Sequence, residues 1–171
     1  MPQPMPVVRS LAWSQLIPQV AAIGVLAVIG HILFPHARVS SVVFAAAAAY
    51  LVLCRLSRAA FLRDHYSGIA AYRTGRFADA IKHFEASRAF FLRHPRLDSL
   101  RSLLFGVAGP NPFRIVALCN MAYCHSQLGE GDRAISLYER ALSESPDCAL
   151  ARASLNMLGS TSASPDATQR A

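Results

Sequence analysis

Between Arg9 and Arg38 the chain has no Asp, Glu, Lys or Arg, and Leu16–Phe34 is the apolar centre of that run. At about 1.5 Å per helical residue it is long enough to cross a hydrocarbon core of about 30 Å. A second charge-free run, Val39–Cys54, is shorter. It spans if Arg38 and Arg55 bend back along the helix to reach the headgroups. Pro35-His36-Ala37-Arg38, between the runs, has the composition of a tight turn. The pattern predicts a two-helix transmembrane hairpin in residues 1–56, with spans at about 16–34 and 39–56.

After Ser57 the apolar positions recur at helical spacing instead of running continuously. No Gly or Pro except Gly68 interrupts 57–73, so the second span is expected to run directly into a helix there. A partner helix is expected over Phe77–Arg93, stopping before Pro95. Leu97, Leu100, Leu103 and Leu104 then have amphipathic spacing, and Phe105-Gly106-Val107-Ala108-Gly109-Pro110 reads as an apolar loop. Asn111-Pro112 is a helix start, an N-cap residue with proline in the first turn. Helices follow at about Pro112–Gln127 and Gly131–Ser143. Beyond Pro146, Leu150, Ala153, Ser154, Met157 and Leu158 mark a last amphipathic helix, and the polar tail 159–171 is expected to be disordered. The fold class is all-α.

Two of these stretches repeat each other 54 residues apart. The first reads Gly75, Ala80-Ile81, Phe84, Glu85; the second reads Gly129, Ala134-Ile135, Tyr138, Glu139, followed by Ala141 and Pro146. A glycine closes one helix, and a small residue and an aromatic four positions later share a face of the next. With Asn120-Met121-Ala122 and Leu128-Gly129 in the second unit, and Gly68 and Tyr72 in the first, the segments resemble tetratricopeptide repeats, whose period is about 34 residues. Ser87 stands where the family has alanine, Leu92 where it has proline, and Asp64 and Leu118 where it has an early tryptophan. The resemblance implies a short α-solenoid over residues 57–158, interrupted by an insertion at about 94–111 and closed by a capping helix. Two units fall short of the three or more that such stacks need, so the final helix, the insertion, a second copy or the membrane must add support.

Composition agrees with a membrane segment: 53% of the 171 residues are hydrophobic and only 16% are charged. A cleaved signal peptide fits poorly, because the first run lacks a small-x-small cleavage site and a second apolar run follows at once. Buried core helices fit poorly too, since the downstream repeats are too small to enclose both. Arg9, Arg55, Arg58 and Arg63 flank the outer ends of the spans and only Arg38 lies in the turn. That bias puts both termini on the cytoplasmic side, with a bacterial inner membrane as the expected setting. Residues 57–101 hold nine Lys/Arg against four Asp/Glu, whereas 114–152 hold four against five. The basic part therefore either docks on anionic lipid, at about 1 kcal/mol per residue, or is a solvated helix face. Nucleic acid is not expected as a partner, because no reader motif occurs.

Catalytic and metal constellations are missing from the pattern. His31, His36, His65, His83, His94 and His125 never pair at i,i+3 or i,i+4, and Cys124-His125 point to different sides of a helix. There is no phosphate loop, nucleophile elbow or HExxH run. His31 is the unusual polar residue of the first span and is either functional or reaches the headgroups. Cys119, Cys124 and Cys148 are expected as small buried thiols filling the repeat cores and Cys54 stands at a membrane end; Cys119 and Cys124 face different ways on one helix and would not readily form a bridge. The expectation is a non-enzyme with no catalytic residue, no metal and no cofactor.

The family resemblance implies a binding groove lined by the first helix of each unit, taking a peptide or helix of a protein partner. The matching positions are His65, Ile69, Tyr72, Arg73, Asn120, Tyr123 and Gln127, whose alternative role is helix packing. A clamp for a C-terminal carboxylate is not implied, since His65, Ile69, Ala153 and Ser154 replace most of its basic and amide groups. The expected protein is a membrane-anchored adaptor, with a non-catalytic subunit or assembly factor of a membrane complex as the alternative. The lipid bilayer and a second copy complete the expected partners.

Overall fold

The computed structural model describes residues 16–107 and 109–162. Arg9, which enters the orientation argument, and the tail beyond Ser162 lie outside the described residues. Every regular element among the described residues is an α-helix. In chain order these are α1 (Ile17–Leu33), α2 (Val39–Phe61), α3 (Arg63–Arg73), α4 (Phe77–Arg93), α5 (Pro95–Ser99), α6 (Arg101–Phe105), α7 (Phe113–Gln127), α8 (Gly131–Glu144) and α9 (Ala149–Ser162).

The chain divides into two compact units, Met1–Arg63 with His94–Pro112, and Asp64–Arg93 with Phe113–Ala171. The 94–112 segment, read in sequence as an interruption of the repeats, thus groups with the helical hairpin. Two helices also depart from expectation. The helix expected over 57–73 is broken at Leu62 (φ −108°, ψ 13°), a fully buried residue at which no Gly or Pro signal exists. And α9 runs through Gly159 to Ser162, the start of the tail expected to be disordered.

In the hairpin unit, α1 and α2 pack together across the turn between Leu33 and Val39. The chain leaves α1 through a Phe34 N–H bond to the Gly30 carbonyl (2.9 Å) and an Ala37 N–H bond to Phe34 (3.0 Å). Gly30 permits a close approach, because a Cβ there would stand 2.9 Å from a Val42 methyl. One face of α2 is buried, Val42, Ala46, Tyr50, Cys54 and Ser57, at successive one-turn steps. Between Val43 and Leu53 the rest of its surface is apolar and largely open. α2 is long and apolar enough to cross a membrane, and only 22% of its apolar window is buried, unlike a core helix. α1, at 17 residues, is apolar but shorter.

The second unit is built from the repeats. α4 packs on α7, α7 on α8 and α8 on α9. α3 and α7 end with the same geometry. Gly75 has φ 74° and Gly129 has φ 80°, left-handed values that glycine adopts without a side-chain clash. Arg76 N–H bonds back to the Ala71 carbonyl (3.0 Å) and Glu130 N–H to His125 (3.0 Å), six-to-one closures at equivalent positions. Across the first hairpin a Cβ on Gly68 would stand 2.8 Å from the Phe84 ring, so only glycine fits there. Ala122 and Tyr138 occupy the corresponding positions of the second. Phe84, Ile115, Leu118, Ala122, Cys124 and Ala141 are fully or almost fully buried in one core. Each large apolar side chain enclosed there stabilises by about 1.5–3 kcal/mol relative to exposure. Cys148 and Ala151 place α9 on that core, with Leu150, Leu155 and Leu158 packed against it.

Candidate functional site

The residues expected to line a groove all lie in the repeat unit, on α3 and α7. They do not share one environment. Tyr72 and Tyr123 come together, ring centroids 5.3 Å apart and edge-on, and both stay half-buried. Burial, followed by a hydrogen bond with Tyr72, pushes the Tyr123 hydroxyl up to about 12, so it is a neutral donor and acceptor at any ordinary pH. Ile69 and Asn120 are half-buried beside them, and Arg73 and Gln127 at the helix ends are exposed. These side chains recur at i, i+3 and i+4 steps, which keeps them on one stripe of each helix.

His65 departs from the stripe. It is 4% exposed, with its ring 5.0 Å from Phe113 and 5.7 Å from Phe84, both edge-on, and Nδ1 is 3.3 Å from the Ser87 hydroxyl. Burial lowers its pKa to about 4, so the ring is neutral and belongs to the core. Sequence spacing cannot separate it from Ile69 or Tyr72, because position on a helix does not tell which neighbours enclose it.

Two arrangements could not be read from the sequence. Cys119 and Cys148 bring their sulfurs to 3.8 Å although 29 residues separate them, and both are buried free thiols. The hydrogen bond with Cys148, and then burial, push the Cys119 thiol far above its ordinary range, and the same bond lowers the Cys148 thiol. The second is an ion pair between α4 and α8: Arg88 donates to Glu144 at 2.6 Å with both side chains largely covered, and Arg140 reaches the same carboxylate at 3.4 Å. At the α7–α8 turn, His125 Nδ1 lies 2.5 Å from Glu130. That hydrogen bond, chiefly, lowers the carboxyl of Glu130.

The chain matches no family model, no curated protein and no solved structure. The site must therefore be judged on its geometry. Among the described residues no group of three or more His, Cys, Asp and Glu side chains could hold a metal ion. A shallow cleft of about 270 Å³ in the hairpin unit is lined by Ala27, Val28, His31, Ile32, Val39, Val42 and Val43. His31 is its one polar side chain and is exposed. The Tyr72–Tyr123 stripe combines aromatic, amide and guanidinium groups along α3 and α7.

Proposed function

We propose that this protein is a membrane-anchored adaptor of the tetratricopeptide type, held by the α1–α2 hairpin and binding a peptide or helix of a protein partner on the α3–α7 stripe. The supporting observation is the duplicated helix ending, Gly75 and Gly129 with the same closures, on two hairpins that share one core. Helical hairpins stacked this way present the first helix of each pair as a continuous surface. Ile69, Tyr72, Arg73, Asn120, Tyr123 and Gln127 form that surface; His65 is left out because it is enclosed. The membrane role rests on α2, and both termini are assigned to the cytoplasmic side of a bacterial inner membrane by the basic residues around the spans.

A photo-crosslinker placed at Tyr123 in the native membrane tests the binding surface. Protein adducts from Tyr123 and Tyr72, with none from Glu139 on the outer face of α8, support the adaptor. A subunit or assembly factor using the hairpin itself is the second reading. It is favoured by Gly24, which has open space around it and could admit another helix. Adducts from Phe44 and Leu51 alone would select it. A phosphatase fused after Ala171 should stay inactive; activity would reverse the orientation.

A further inference from the structure

The insertion 94–112 carries an unusual number of backbone carbonyls that are bonded by side chains. Tyr50 Oη donates to the Leu103 carbonyl at 2.8 Å, and the Cys54 thiol lies 3.9 Å from the same oxygen. Arg58 donates through Nε to Phe105 (2.6 Å) and through Nη2 to Gly106 (3.3 Å). Arg101 donates to the carbonyls of Asp98, Gly109 and Pro110 at 3.0–3.2 Å. The last carbonyls of a short helix have no intrahelical partner, and in water solvent serves them. A segment withdrawn from water needs protein donors instead. The left-handed Gly106 (φ 57°) lets the chain turn close beneath Arg58 and Cys54, 3.4 and 3.5 Å from where its Cβ would be.

The donors on α2 also fix a depth. Arg38 and Arg55 bound its charge-free run, so the run is centred near Ala46 and Ala47. With about 1.5 Å per residue, Tyr50 lies about 5 Å from the centre, Cys54 about 11 Å and Arg58 about 17 Å. A hydrocarbon half-thickness of about 15 Å then encloses Tyr50 and Cys54 and leaves Arg58 at the boundary. Leu103, bonded between the levels of Tyr50 and Cys54, falls inside it. Phe105 and Gly106, bonded to Arg58, return to its edge. The surface around Leu103 is apolar: Leu53, Leu56 and Leu100 are exposed and Leu104 is half-buried, whereas His94, Arg96 and Ser99 at the start of the insertion are exposed and polar.

We infer that α6 is a re-entrant element, dipping into the cytoplasmic leaflet along α2 and covered by lipid acyl chains, with the polar α5 at the headgroup edge. This rests on the membrane reading of the hairpin. It assigns the insertion a role as part of the anchor, with Arg58 neutralising the carbonyl end of α6 at the headgroup boundary.

The test uses the full chain in phosphatidylcholine–phosphatidylglycerol vesicles, with Trp13→Phe removing the single tryptophan. Leu104→Trp and, separately, Leu100→Trp report on the insertion, Phe44→Trp on the span and Glu139→Trp on the repeats. With lipids brominated midway along the acyl chain, the Phe44 and the Leu104 or Leu100 reporters should lose emission and the Glu139 reporter should keep it. Quenching at Phe44 with none at either insertion position overturns the re-entrant element while leaving the hairpin in the membrane. Quenching at no position overturns both. Circular dichroism on each variant establishes that it is folded, and either insertion reporter suffices.

Discussion

The two units use the same helical backbone with opposite surfaces. In the hairpin unit large apolar side chains point outward, Phe44 at 77%, Ile32 at 72% and Leu51 at 64% exposure. Polar groups there point inward, with Tyr50 and Arg58 bonded to carbonyls of the insertion. In the repeat unit Phe84, Phe91 and Leu118 are enclosed, while the side chains of Lys82 and Arg133 are 77% and 71% exposed. The lesson is that burial has a different meaning in each. Around the repeats, apolar enclosure supplies the stability. In the hairpin unit the buried polar side chains bond backbone carbonyls of the insertion, since polar groups withdrawn from solvent need partners.

The comparison can be broken most forcefully by truncating an aromatic in each unit. Phe84→Ala should lose about 3–5 kcal/mol in urea unfolding of the full chain in detergent. Phe44→Ala, at an outward position, should stay within about 0.5 kcal/mol. Equal losses would mean that the hairpin face is a protein core.

Next in size is a pH effect confined to the repeat unit. His65 titrates near 6.5 when unfolded and near 4 when folded, because burial disfavours the charged ring. The unfolded chain therefore binds more protons in that window. Stability is full above about pH 6.5 and falls by about 3 kcal/mol towards pH 4, levelling below it. His65→Phe should flatten that part of the pH–stability curve; an unchanged slope would mean that the ring is not enclosed.

A single hydroxyl sharpens the contrast further. Tyr50→Phe leaves the Leu103 carbonyl only the weak Cys54 thiol as a side-chain donor and should cost about 1–2 kcal/mol, since a shielded acceptor loses its stronger partner. Tyr123→Phe, at a half-exposed ring where water can substitute, should cost less than about 1 kcal/mol. Thermal unfolding of both variants reads the difference.

The smallest effects differ in sign. Gly75→Ala and Gly129→Ala force a left-handed alanine and should each destabilise by about 1–2 kcal/mol. Gly24→Ala lies in a helix with open space around it and should stabilise by about 0.5–1 kcal/mol. Matched losses at Gly75 and Gly129 would also support the equivalence of the two turns.

Much of the helix order was legible because its signals are local. Phe77–Arg93 ends before Pro95, and Gly131 follows the left-handed Gly129. The break at Leu62 was not legible, since no residue there disfavours a helix and the residue is simply enclosed. Nor was the placement of the candidate groove residues. Ile69, Tyr72 and His65 have the same helical spacing, and only the rings of Phe84 and Phe113 separate the enclosed histidine from its open neighbours.

The sequence by itself determined that the chain is helical, that its first part is strongly apolar, and that Gly75 and Gly129 end equivalent helices. These follow from periodicity, composition and backbone sterics, which act over a few residues. Only the tertiary structure decided that the leucine-rich insertion joins the hairpin, and that Cys119 meets Cys148. Those facts depend on groups 29 to 53 residues apart finding one another, as Tyr50 finds the Leu103 carbonyl. No local pattern encodes such a meeting, because it is set by which surfaces the whole chain leaves unsatisfied.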